Sequence, residues 1–176
     1  MSGLSLPDHL RTTGMFLQYR VWADRLTYEA LLKLPREEIM KPRHTTFSTI
    51  LQTLGHVHVV DDMFRHHLQG TEHGYRSRQA DQMLDLEDWW WATQELHQWY
   101  MKACAGWSTD DLKEKISFAF IDGQAGIMTR KEIILHVVNH ATYHRGFIGD
   151  MLKQIPHNWP ANDLTVFLRD HYDRGA

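Results

Sequence analysis

A chain of 176 residues, 43% hydrophobic and 23% charged, is long enough to bury one substantial core and has the make-up of a soluble globular protein. Its net charge of −3 argues against a broad basic footprint, so nucleic acid is not an expected partner. A single cysteine, Cys104, excludes an intrachain disulfide framework and fits a reducing compartment; with neither a secretory leader nor an apolar run long enough to span a bilayer, the expected location is cytoplasmic, away from the membrane.

From Pro7 to Leu34, apolar residues such as Phe16, Tyr19, Ala23, Leu26 and Ala30 recur at spacings of three and four, which predicts a first helix stopped by Pro35. A second helix is expected from Thr46 to Leu68, where Ile50, Val57, Val60, Phe64 and Leu68 share a face and Gly70 provides the C-terminal stop. A polar connector from Thr71 to Leu84 shows no periodicity, and an aromatic third helix follows from Leu86 to Ala105. Lys115 to Thr129 alternates and is rich in β-branched and aromatic residues around Asp122-Gly123, the pattern of a short hairpin. Thr129 and Glu132 form a capping-box pair that opens a fourth helix, expected to run to Ile155 before Pro156. A short terminal helix is expected from Asp163 to Tyr172. Together these predict an all-α chain: a four-helix bundle in one domain, residues 1–176, with a short hairpin before the last long helix. The connections after the second and third helices exceed the roughly 2–8 residues usual between antiparallel neighbours, so the helices need not alternate in direction.

The fourth helix carries His136, His140 and His144 at intervals of four. Residues so spaced lie about 40° apart around a helix and one turn apart along it, close enough for two imidazoles to reach one ion. Ile133, Val137, Ala141, Ile148 and Met151 define the apolar stripe; His144 falls within it, His140 at its near side and His136 further round. The inward pair is therefore His140 and His144. A third ligand must come from a facing helix, and the second helix offers His56 and His67 at the border of its buried side, with His58 and His66 turned away. His56 and His67 are about 16 Å apart along the axis, so only one of them can join a shared site, and the periodicity leaves that choice open. Neither a metalloprotease HExxH nor the Glu-x-x-His of a di-iron bundle is present, which leaves a mononuclear site.

With these residues in hand, the chain resembles the DinB/YfiT-like family. The likeness is carried by YRVWADRL (Tyr19–Leu26), FSTILQTLGHVHVVDDMF (Phe47–Phe64), ILHVVNHATYHRGFIGDML (Ile134–Leu152) and PANDLTVFLRD (Pro160–Asp170). The resemblance implies a four-helix bundle of up-down-down-up topology, one divalent ion, zinc or nickel, held by three histidines, and a homodimer. Carried over position by position, the ligands are His56, His140 and His144, which decides for His56 over His67.

Three neutral imidazoles leave such an ion dipositive, with positions open to water or substrate. Relatives in the wider family include transferases and isomerases that use low-molecular-weight thiols. The leading expectation is therefore a metal-dependent enzyme that activates a small thiol for transfer to a small electrophile. A hydrolase using metal-bound hydroxide is the second expectation. The third is a non-catalytic stress-response module with a structural metal, which a fourth ligand such as His136 or His67 would mark. No general base is evident; Asp61 is either an orienting partner for a ligand or a solvated helix charge, and Arg145 is expected to pair with a carboxylate. Trp89, Trp90 and Trp91 point about 100° apart, so they cannot all enter one core. Met15, Met63 and Met151 read as core filling, and Cys104 as a buried thiol.

Overall fold

Among the residues described by the computed structural model, 10–156 and 159–172, the chain forms seven helices and one hairpin. The first, α1, covers Arg11–Leu31; the expected start at Pro7 lies outside the described residues. It stops short of Leu34 because Leu32, Lys33 and Leu34 close a tighter terminal turn onto Tyr28, Ala30 and Leu31 before Pro35. A five-residue helix not foreseen from the periodicity, α2 (Arg36–Met40), follows, with Glu37 and Glu38 in its first turn.

The next helix, α3, spans Ile50–Gln69 and begins four residues later than expected. The reason is a capping box: the Thr49 hydroxyl accepts from the Gln52 amide while the Gln52 side chain accepts from the Thr49 amide. Gly70 ends it at φ 67°, where a side chain would be strained. The aromatic helix α4 is Leu86–Ala105, as expected. A short α5 (Thr109–Lys113) was not legible in the pattern and rests on a second capping box between Ser108 and Asp111. The hairpin pairs β1 (Lys115–Ala119) with β2 (Ala125–Thr129) antiparallel, turning through Gly123 at φ 81°. The Thr129–Glu132 capping box then opens α6 (Arg130–Lys153), and α7 (Leu164–Asp170) closes the described chain.

Side-chain contacts fix the helix directions. Tyr28 meets Thr93 while Thr13 meets Cys104, so α1 and α4 are antiparallel. Arg20 reaches Val137 and Asp24 reaches Arg145, so α1 and α6 are parallel. His56 faces His140 while Leu68 faces Arg130, so α3 runs against α6. The order is up-down-down-up, with α1 and α3 on one diagonal and α4 and α6 on the other.

Two apolar clusters fill the bundle. One gathers Leu17, Trp22, Phe64, Tyr100 and Ile134; the other gathers Leu31, Leu51, Leu54, Trp89 and Met151. Between them, at matching height on the four helices, sit Asp24, His56, His97 and the His144–Arg145 pair, all buried. This polar layer is where the bundle departs from a purely apolar core, and it positions the site. Among the described residues, no helix is long and apolar enough to cross a membrane.

Candidate metal centre

Helix α6 presents His140 and His144 from successive turns, with ring centroids 4.5 Å apart. Helix α3 brings His56 against them: its Nε2 lies 3.1 Å from Nε2 of His140, and its ring lies 4.6 Å from that of His144. One nitrogen from each of the three falls within 4.8 Å of the others. His56 and His144 are 7% and 5% exposed, and His140 is half-buried.

The connector between α3 and α4 sets the orientation of His56. Its Nδ1 lies 2.7 Å from the carbonyl oxygen of Arg78, which can only accept, so Nδ1 carries the proton and Nε2 keeps its lone pair for the cluster. Gly55 makes this approach possible. A Cβ there would stand 3.0 Å from the Trp89 indole and 3.3 Å from Ala80, two residues after Arg78. The connector is tied down further along by the Tyr75 hydroxyl, which donates to Asp62 at 2.8 Å. Phe47 covers the other side, stacked on His56 at 4.4 Å and tilted against His144 at 5.6 Å.

All three imidazoles are held in the neutral form. Burial lowers the pKa of His56, takes His144 down to about 4 with help from His56, and takes His140 down to about 2 with help from both neighbours. Neutral imidazole is the form that ligates a metal. The donor set fits a divalent ion in two further respects. The 3.1 Å Nε2–Nε2 separation is close to the edge of about 3.3 Å expected between nitrogens bound tetrahedrally at 2.0–2.1 Å. Moreover, one nitrogen from each imidazole converges within 4.8 Å of the others, the three protein ligands of an open zinc site.

The inward pair expected on α6 thus meets the histidine that the resemblance selected on α3. His136 sits one turn before His140, rings 5.6 Å apart, and is half-buried beside Phe64. His67 is not in the cluster; it stacks on Phe118 at 4.6 Å. No fourth histidine, cysteine or carboxylate among the described residues joins the three. His58 does not face away from the bundle but packs against Trp89 of α4.

Asp61 takes neither expected role. It is 1% exposed and is ion-paired to Arg20, itself 2% exposed. Arg20 also donates to Asp24 and to the Val137 carbonyl of α6. Arg145 pairs with a carboxylate, as expected: its guanidinium donates to Asp24 at 3.0 Å and to the Tyr19 hydroxyl at 2.8 Å. His97 donates to the same Asp24 at 3.0 Å. Burial opposes the Asp24 charge, yet the His97 hydrogen bond and the two arginines hold its pKa below the usual carboxylate range. Arg20, Asp24 and His97 were missed in the sequence, although the i,i+4 spacing of Arg20 and Asp24 on the core face of α1 carried a signal.

Of the tryptophans, Trp89 is buried, Trp90 stacks on Tyr28 and Trp91 is 63% exposed. Met63 and Met151 are core residues, with Met15 packed against the core, and Cys104 is a buried thiol whose pKa burial raises.

The DinB family profile matches residues 8–174. Protein DinB of Bacillus subtilis (strain 168) is 26% identical over 162 residues, which cover 86% of this chain and 90% of that protein. The crystal structure of a DinB-like protein from Bacillus cereus ATCC 10987 superposes with a TM-score of 0.63 at 16% identity, covering 83% of this chain and 94% of that one; at this identity the likeness speaks for the fold alone. Because the family match runs through nearly the whole sequence, this chain belongs to the DinB family.

Proposed function

We propose that the chain binds one divalent ion, zinc or nickel, through His56, His140 and His144, and uses it as an enzyme that activates a low-molecular-weight thiol for transfer to a small electrophile. The observation that carries the reading is the convergence of three neutral imidazoles, two buried and one half-buried, one of them locked in its ligating tautomer by the Arg78 carbonyl. When bound, a divalent ion supplies Lewis acidity that lowers the pKa of a small thiol, or of water, toward neutrality.

The chain's own residues supply placement and exclusion. His56 is oriented by the connector, His140 and His144 by a helix anchored through Arg145 to α1, and Phe47 shields the stacked face from solvent. A pocket of about 130 Å³ opens beside His56 and His140, room for a small molecule to reach the cluster. Three ligands beside an open pocket support a reactive centre over a structural metal, because a structural zinc site is closed by four protein ligands. Among the described residues no carboxylate joins the cluster to act as a base, in keeping with activation by the ion itself.

The test is elemental analysis of untagged protein purified without chelator, beside His140→Ala. The expected result is one zinc or nickel per chain, lost in the variant at unchanged helicity, followed by metal-dependent consumption of added thiols in the presence of an electrophile. Absence of metal from both proteins would overturn the reading. Hydrolysis that proceeds without thiol would replace thiol transfer with a hydrolase.

A further inference from the structure

The pocket beside the cluster has a consistent chemistry of its own. It lies between α3, α6, the connector and the tip of the hairpin. One side is apolar: Val60, Met63 and Phe64 form the floor, and Phe120 and Ile121 of the hairpin overhang it. Phe120 is 50% exposed and Ile121 38%, apolar surface that a bound molecule would cover. Gly126 helps set this rim, since a Cβ there would stand 2.6 Å from the Phe118 ring and 3.0 Å from that of Phe120.

The other side offers hydrogen-bond donors and positive charge. The His73 Nδ1 accepts the Tyr75 amide at 3.0 Å, so a neutral His73 carries its proton on Nε2 as a donor. The side chains of His67 and His136 have no hydrogen-bond partner among the described residues, and the exposed Arg78 guanidinium has no ion-pair partner there. Among the described residues no aspartate or glutamate lines the pocket, although the chain carries 22 acidic residues against 19 lysines and arginines. Arg78 stands exposed at the rim, so a cation would meet its positive charge and a carboxylate matches it.

We propose that this pocket binds a small organic carboxylate, its anionic end toward Arg78 and His73 and its apolar body against Phe64, Met63 and the hairpin tip. Bound so, the molecule lies beside His56 and His140. What it does there rests on the proposed metal centre; its chemical class does not. The pocket therefore selects one of the two reactants by charge.

Metal-loaded full-length protein is titrated calorimetrically with hexanoate and with its neutral isostere hexanamide. Wild-type protein is expected to bind hexanoate roughly tenfold more tightly, the size of one charge-assisted hydrogen bond. Arg78→Met combined with His73→Leu should abolish that preference while metal content and thermal midpoint stay unchanged, because the Arg78 backbone carbonyl is retained. Phe120→Ser should weaken both probes alike. Equal binding of the two probes, or a preference that survives the double substitution, would overturn the proposal. Hexanoate binding that vanishes on chelation yet survives the double substitution would make the carboxylate a ligand of the ion; that outcome overturns the pocket assignment and leaves the metal centre standing. A preference for hexanoate in protein that holds no metal would do the reverse.

Discussion

Asp24 is the hinge of the buried polar layer, and replacing it with asparagine should be costly. One carboxylate oxygen accepts from Arg145 at 3.0 Å; the other accepts from Arg20 at 3.2 Å and from His97 at 3.0 Å. The two arginines balance Asp24 and Asp61 in formal charge. Asp24→Asn keeps the shape, removes one negative charge and turns an amide toward groups that only donate. Breaking a buried pair in this way costs about 3–5 kcal/mol. Arg20 keeps Asp61, so the lower end of the range, about 3 kcal/mol, is expected. Against a typical total of about 5–15 kcal/mol that is a large fraction, readable as a lower urea midpoint by tryptophan fluorescence at neutral pH. The charge explanation makes a second demand. Arg145→Met in the same chain restores neutrality, so the double variant should be less unstable than the two single losses summed, with a coupling of about 1–3 kcal/mol. A loss below about 1 kcal/mol for Asp24→Asn, or strict additivity, would refute the account.

The pH dependence follows from the histidines. Burial first, then neighbouring imidazoles, lowers His140 to about 2 and His67 to about 4, and His144 is lowered to about 4 in the same way. Below the ordinary value of about 6.5 the unfolded chain takes up protons that the folded chain declines, so metal-free protein should lose stability as pH falls from about 6.5 toward 4. Urea midpoints between about pH 6.5 and 5, above the titration of ordinary carboxylates, isolate the effect; a flat profile there would contradict it. Gly55→Val should cost about 1–3 kcal/mol by overpacking against Trp89 and Ala80. If the connector shifts as this requires, the Arg78 carbonyl leaves His56 and metal affinity falls about tenfold or more, measured by competition with a chelator; unchanged affinity would show that the hydrogen bond does not orient the ligand.

The parts of the fold that were legible in the sequence are those governed by local chemistry. Periodicity marked the four long helices, Asp122-Gly123 the hairpin and Thr129–Glu132 the cap of α6, because each depends on residues within a few positions of one another. The inward pairing of His140 and His144 followed from the same periodicity. The start of α3 was misplaced because Thr46 and Thr49 both look like caps, and only the reciprocal bond with Gln52 separates them. Two short helices were missed because one turn and a half carries too little periodicity to register. Choosing His56 over His67 was beyond helical projection, since both border the buried side; the distinction lies in which turn of α3 meets His140, a matter of how the antiparallel helices are offset. Arg78 was invisible for a different reason: it acts on His56 through its backbone carbonyl, which any residue type possesses.

The buried ion network and the three-histidine cluster are complementary parts of one layer. In a chain with 22 acidic residues, three aspartates are buried among the described residues; Asp62 is held by Tyr75 and Arg65, which leaves Asp24 and Asp61. Both are taken up by Arg20, with Arg145 and His97 completing the shell of Asp24, so neither is free to join the histidines. A carboxylate ligand would offset part of a divalent charge, whereas three neutral imidazoles offset none of it. By sequestering its acidic side chains in salt bridges on the α1 side, the bundle keeps the cluster purely nitrogenous. An ion held there retains its full charge, facing a pocket lined by histidines, an arginine and apolar side chains. The arrangement thus favours lowering the pKa of a neutral acid at the site, and the same missing negative charge leaves the pocket open to an anionic partner.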